Sequence, residues 1–256
     1  MSVVERAAVA VASRPVPDGL ADELLACLDE SSGLVQRAAA DELVRLSAVE
    51  PLIEARLRDR LDAAHAATRR AAAFTLARLG GRAARLVPVL IEALGDPVSE
   101  VRWSAHHALA LIREQRASVL PALVAAARDA VPLRRRMALY GLRDWGAPAA
   151  EVEGLVLGGL ADLDPTVRLA ALALASHDER GTEAVRDAVL GALAGDAVHG
   201  VRRAATAALA RMAASGSDAA CADLARGALE RAARDPDPRM RKAARAALRL
   251  IEHASA

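Results

Sequence analysis

The sequence predicts an all-α chain, a right-handed α-solenoid of about seven stacked two-helix repeats with a period of about 33 residues. Two observations carry this. One Arg phase recurs along the chain, and a second, acidic phase runs six positions before it. Composition agrees: 54% of the 256 residues are apolar, mostly Ala, Leu and Val, while only 2% are aromatic. Such a chain suits short helices packed closely through small side chains rather than a core built around large rings.

The repeats follow in order. The first carries "VQRAAADEL" from Val35, the second "TRRAAAFTL" from Thr68, and the third "VRWSAHHAL" from Val101. The fourth has "RRRMALYGL" from Arg134, the fifth "VRLAALALA" from Val167, the sixth "VRRAATAAL" from Val201 and the last "MRKAARAAL" from Met240. Their second residues are Gln36, Arg69, Arg102, Arg135, Arg168, Arg202 and Arg241, stepping by 33 four times, then 34 and 39. The acidic phase holds Glu30, Ala63, Asp96, Asp129, Asp162, Asp196 and Asp235. Pro88 and Pro121 share a third phase, and "AASGSDAA" lengthens the last step.

Each repeat reads as helix, short turn, helix. In the third, the first helix is expected near Ala84 to Leu94 and the second near Val98 to Glu114. Asp96 is expected to cap the second helix, with Pro97 in its first turn, where an amide proton is dispensable. "LDP" at Leu163 and "DPDP" at Asp235 repeat that chemistry. Val101, Ala105, Ala108, Leu109 and Ile112 recur at the spacing of one buried helical face. No single helix pair can bury such a face alone, so the pairs must stack. The whole chain is read as one solenoid domain, with 1–17 as a lead-in and 18–253 as repeats.

The turn "DPxxxVRxxAxxAL", the acid-to-Arg spacing of six and the Pro before it resemble the HEAT repeats, in the short bacterial form also described as phycobilisome-lyase-like. The resemblance covers roughly residues 18 to 253. It implies a ladder of hydrogen bonds between repeats formed by Asp96, Arg102, Asp129, Arg135, Asp162, Arg168, Asp196, Arg202, Asp235 and Arg241, and second helices lining a concave face. The chain departs from the pattern at Gln36, at Ala63 and at Arg134, which stands where Val is expected. Gln36 fits a capping repeat; Arg134 either extends to solvent or marks a local distortion.

The register sorts the remaining side chains. One residue after the ladder position stand Arg37, Arg70, Trp103, Arg136, Leu169, Arg203 and Lys242. Five after it stand Asp41, Phe74, His107, Tyr140, Ala173, Ala207 and Ala246. Three of the four aromatic residues thus share one open stripe in consecutive repeats, together with basic residues that include Arg143 and Arg249. Arg and aromatic side chains are enriched at interaction sites. Arg37, Arg70, Phe74, Trp103, His107, Arg136, Tyr140, Arg143 and Arg203 are therefore the candidate partner-binding residues. The plainer reading is a solvated basic face whose rings cover neighbouring Ala or stack on Arg. Trp145 is expected to cover an inter-helix turn, and His106 to be packed or bonded near the ladder.

Enzyme chemistry finds little support. There is no HExxH, no Walker-type GxxxxGK and no GxGxxG. His106 and His107 diverge by about 100° around a helix, so they cannot readily chelate one ion. The HEAT-like deoxyhypusine hydroxylases use His-Glu pairs, and no His-Glu dipeptide occurs here. Polar residues in "SHDER", from Ser176, are explained by capping. No catalytic residue, metal or cofactor is assigned.

The expected function is a non-catalytic binding scaffold, whose basic, aromatic-studded groove holds a protein or peptide with acidic and apolar groups. The alternative is nucleic-acid binding, in the manner of the HEAT-like alkylpurine DNA glycosylases, although Asp144, the nearest candidate acid, is turned from the stripe. With 34 basic against 33 acidic residues, any electropositive surface is local. A bilin lyase subunit is suggested by repeat type alone. No small-molecule substrate is evident. Two distant cysteines, Cys27 and Cys221, no signal peptide and no membrane-length apolar run make a soluble cytoplasmic protein the expectation.

Overall fold

Helix-forming sequence broken at short polar turns yields fourteen α-helices and no strand among the described residues of the computed structural model, 19–30, 32–82, 85–177, 182–215 and 219–254. The expected lead-in and part of the "AASGSDAA" insertion lie outside them. The helices are α1 Leu20–Cys27, α2 Gly33–Leu46, α3 Leu52–Arg60, α4 Ala66–Arg78, α5 Leu86–Ala93, α6 Ser99–Leu111 and α7 Arg116–Ala126. There follow α8 Pro132–Asp144, α9 Ala149–Leu160, α10 Pro165–Ala175, α11 Glu183–Gly195, α12 His199–Ser215, α13 Ala219–Ala232 and α14 Pro238–Ala254. Seven helix pairs result, and the fold is that of a repeat α-solenoid.

The chain forms two compact units, Met1–Ala122 and Leu123–Ala256. In the first, α2, α4 and α6 pack side by side, with α1, α3 and α5 against them. Its core is a set of fully buried aliphatic side chains, including Leu24, Leu43, Ile53, Leu57, Leu76 and Leu90. In the second, α8, α10, α12 and α14 make the corresponding row, backed by α9, α11 and α13. Trp145, just past α8, is 4% exposed and belongs to this unit's core.

A shared hydrogen-bond pattern explains the register. In every repeat the side chain at the Arg phase turns back to the carbonyls that close the preceding turn. Arg135 Nη1 donates to the Asp129 and Ala130 oxygens at 2.9 and 3.0 Å, and Arg241 to those of Asp235 and Pro236 at 2.9 and 2.7 Å. Gln36 does the same with its amide, to the Leu28 and Glu30 oxygens at 3.1 and 2.7 Å. An amide suffices here because the acceptors are neutral carbonyls.

The acid phase works one step earlier than the sequence suggests. Asp96 Oδ1 accepts from the Val98 amide at 2.8 Å, closing a turn two residues long, and α6 begins only at Ser99. Val98 therefore occupies the cap position and offers no side-chain oxygen. In the fifth and seventh repeats the second acid caps instead: Asp164 accepts from Thr166 and Asp237 from Arg239, at 2.7 and 2.8 Å. Pro165 and Pro238 then open their helices, as proline prefers. α4 and α8 end in left-handed Gly80 and Gly146, at φ 69° and 57°. The amides of Gly81 and Ala147 then reach back to the Leu76 and Leu142 oxygens, at 2.8 and 3.0 Å.

A candidate partner-binding cleft

The cleft follows from the small residues on α4. Ala71 is short, so the space above α4 stays open between its neighbours α2 and α6. The result is a cleft of about 830 Å³ within the N-terminal unit. α2 supplies Leu34, Arg37, Ala40 and Asp41, α4 supplies Ala71, Phe74 and Arg78, and α6 supplies Trp103, Ser104, His107 and Leu111, with Val98 just before it.

The lining leaves much apolar surface in water. Leu34, Val98, Trp103 and Leu111 are 76, 50, 50 and 44% exposed, while Phe74 is half-buried on the floor. Scattered exposed apolar residues need no explanation, but four around one cleft make a contiguous patch of the kind found at interaction sites. Val98 stands at an uncapped helix start, as Val131 does in the next repeat. Asp at a helix cap is worth about 1 kcal/mol over an apolar residue. Val98 has nearly the same backbone angles as the capping Asp164, φ −82° and ψ 122° against −83° and 118°. That capping stabilisation is absent from α6, and an isopropyl group borders the cleft instead.

Charge is sparse and mostly paired. Asp41 accepts from Arg78 Nη1 at 2.6 Å across the α2–α4 junction. Arg70 lies 3.3 Å from Asp96, outside the cleft lining. Among the described residues Arg37 is exposed and has no ion pair, and Glu100 lies on the opposite lip. Trp103 meets His106 edge to face, with ring centroids 5.6 Å apart.

Of the nine candidate partner-binding residues, Arg37, Phe74, Trp103 and His107 line this cleft. Arg136, Tyr140, Arg143 and Arg203 belong to the C-terminal unit. There Arg143 stacks over the Tyr140 ring at 5.4 Å and donates to Asp144 at 2.7 Å. Arg136 and Arg203 are half-buried, and Arg136 Nε is buried with no hydrogen-bond partner among the described residues.

The candidate ladder residues divide similarly. Arg135 makes a two-pronged contact with Asp162 at 2.7 and 2.8 Å, and Arg168 with Asp196 at 2.7 and 2.9 Å. Arg168's hydrogen bonds and charge hold the Asp196 carboxyl below its ordinary range, against the effect of burial. Burial would raise Asp162, but Arg135, the Asp164 amide and Arg168 together lower it. Asp129 is engaged locally by Arg134, at 2.6 Å, which accounts for an Arg where the repeat expects Val. Asp96 and Asp235 accept from backbone amides, Arg102 Nη1 reaches the Asp96 oxygen at 2.6 Å, and Arg202 lies 2.7 Å from His199 Nδ1.

Leu34, Val98 and Leu111 were not singled out by the register. Leu111 did carry a signal: nine residues after the ladder position, five sister repeats place Arg45, Arg78, Asp144, His177 and Arg211, and only the last places another leucine, Leu250. A large apolar residue at a phase that is otherwise mostly polar marks a surface with another use. Among the described residues no group of three or more His, Cys, Asp or Glu could hold a metal, and no helix is long and apolar enough to cross a membrane.

Residues 54–143 match the family model described as HEAT repeats. The archaeal HEAT-like repeats protein from Thermococcus onnurineus NA1 superposes with a TM-score of 0.57 at 14% identity, over 95% of this chain and all of that one. Kap121p gives 0.69 at 13% identity, over 92% of this chain and 30% of its own. A designed armadillo repeat protein in complex with the peptide (KR)4 gives 0.53 at 18%, covering 77% of this chain and 98% of that one. At such identities these likenesses show the fold. No curated protein matches the chain in sequence.

Proposed function

We propose, for a chain that belongs to the HEAT-repeat family, a non-catalytic binding module whose N-terminal cleft holds an apolar segment of a protein partner. The observation that carries this reading is the exposure of Leu34, Val98, Trp103 and Leu111 around one open cleft floored by Phe74. A partner that covered them would remove a large apolar area from water, with Trp103 as the natural anchor. The repeat fold supports the reading: a designed armadillo repeat protein of similar fold is seen with a peptide, (KR)4. That peptide is basic, whereas here Arg37 faces the cleft, so an acidic group beside the apolar ones suits this chain better.

Charge in this unit favours a protein over a phosphate backbone. Arg70 and Arg78 are engaged by Asp96 and Asp41, so of the arginines at and beside the cleft only Arg37 is left to meet a polyanion. A soluble, cytoplasmic setting goes with the proposal.

The test is affinity capture, identification of the bound protein, and reconstitution with purified components. Trp103→Ala should weaken the reconstituted complex at least tenfold, about 1.4 kcal/mol or more, as expected on truncating an aromatic anchor. Its melting temperature should stay close to wild type, because half of the ring is already in water. Unchanged affinity would sink the proposal, and loss of the fold would make Trp103 a core residue.

A further inference from the structure

The cleft also discriminates between forms of occupant. Along α6 it extends from Val98 to Leu111, thirteen helical steps or about 20 Å. An extended segment of that length has about six residues, and each backbone N–H and C=O would need a partner in the cleft. The walls offer few. Past their first turns, the second helices spend their own backbone groups on their own hydrogen bonds, and Ser104 and His107 are the neutral polar side chains that α6 adds. The whole chain has no asparagine, and Gln36, the one amide side chain in the lining, donates its nitrogen to the Leu28 and Glu30 carbonyls. Asp41 and Arg78 are bonded to each other. An α-helix satisfies its own backbone and needs from the cleft only apolar contact and complementary charge.

We infer that the occupant is an amphipathic α-helix of the partner, three to four turns long. This rests on the proposal that the cleft binds a protein. Its apolar residues, spaced i, i+4, i+7 and i+11, span about 16 Å and lie over Leu34, Phe74, Trp103 and Leu111. An acidic residue on its flank meets Arg37, and a basic one on the other flank meets Glu100.

Three labelled 16-residue peptides of Leu, Ala, Glu and Lys test this by fluorescence anisotropy with the full chain. The first carries Leu at the helical spacing with Glu on one flank. The second has the same composition with Leu at alternate positions, and the third is the first with a central Pro. The first should bind at least tenfold more tightly than the others and gain helical circular dichroism on binding. Trp103→Ala and Arg37→Glu should each weaken it severalfold or more. Equal or tighter binding of the alternating peptide would overturn the helix and leave the binding function standing. Binding of the first peptide unaffected by Trp103→Ala would place it elsewhere and overturn the inference. Failure of all three at millimolar concentration would overturn the underlying proposal as well. A dimer of the chain that Trp103→Ala dissolves would make a second copy the occupant, and the inference would fall.

Discussion

Gln36 and Arg168 stand at the same phase of the repeat and separate two roles of that side chain. Both reach back to turn carbonyls, but only Arg168 also grips the acid of the following repeat. Arg168→Ala removes both interactions and leaves Asp196, 7% exposed, without its counter-charge. A loss of about 2–4 kcal/mol is expected, less than for a fully buried pair because Asp196 still accepts from the Val198 amide. Arg168→Gln can keep the carbonyl bonds, so it should cost only about 1.5–3 kcal/mol. Chemical melts of the two variants check the order. The pH dependence follows from the lowered Asp196 carboxyl. A depressed carboxyl contributes stability that is present above the ordinary aspartate value of about 3.9 and is lost as pH falls through the folded value. The gap between wild type and Arg168→Ala should therefore be full near neutrality and narrow as the pH falls below about 4.

Two adjacent glycines in α9 show how closely these helices pack. A Cβ on Gly159 would stand 2.8 Å from the Ala171 Cβ of α10, whereas one on Gly158 would meet nothing within 4 Å. Ala is the better helix former by about 1 kcal/mol. Gly158→Ala should thus stabilise the protein by up to that amount. At Gly159 the overlap must move one helix, so Gly159→Ala should destabilise by about 1–3 kcal/mol despite the same gain in propensity. Melting curves of opposite shift check this; equal shifts would mean that α9 and α10 slide apart freely. The pair also marks what a sequence can convey. Helix positions were legible because period, turn chemistry and apolar spacing are local to one repeat. The cleft was legible only through Arg37, Phe74, Trp103 and His107. Its remaining apolar lining, and the pairing of Arg70 with Asp96 and Arg78 with Asp41, depend on side chains from neighbouring repeats. A register computed within one helix does not contain that information.

At the scale of the molecule, most of the packing joins each helix to its partner and to the next repeat, as α8, α10, α12 and α14 follow one another in the C-terminal unit. Stability in such an array approximates a sum of repeat terms and nearest-neighbour terms. A lesion should then act locally, because lost coupling between two repeats lowers the free energy of opening those repeats first. Arg168 joins α10 to Asp196, at the end of α11 and beside α12. Hydrogen exchange of Arg168→Ala should therefore accelerate in α9 to α12, with the amides of α2, α4 and α6 retaining wild-type protection. This is expected even where global melts report a single transition, since exchange samples partial openings that melts average. Uniform acceleration through both units would contradict it and show that the chain opens as one cooperative block. Local acceleration has a consequence for binding: Arg168→Ala should leave peptide affinity at the N-terminal cleft unchanged, while Trp103→Ala weakens it severalfold or more without altering exchange in α9 to α12.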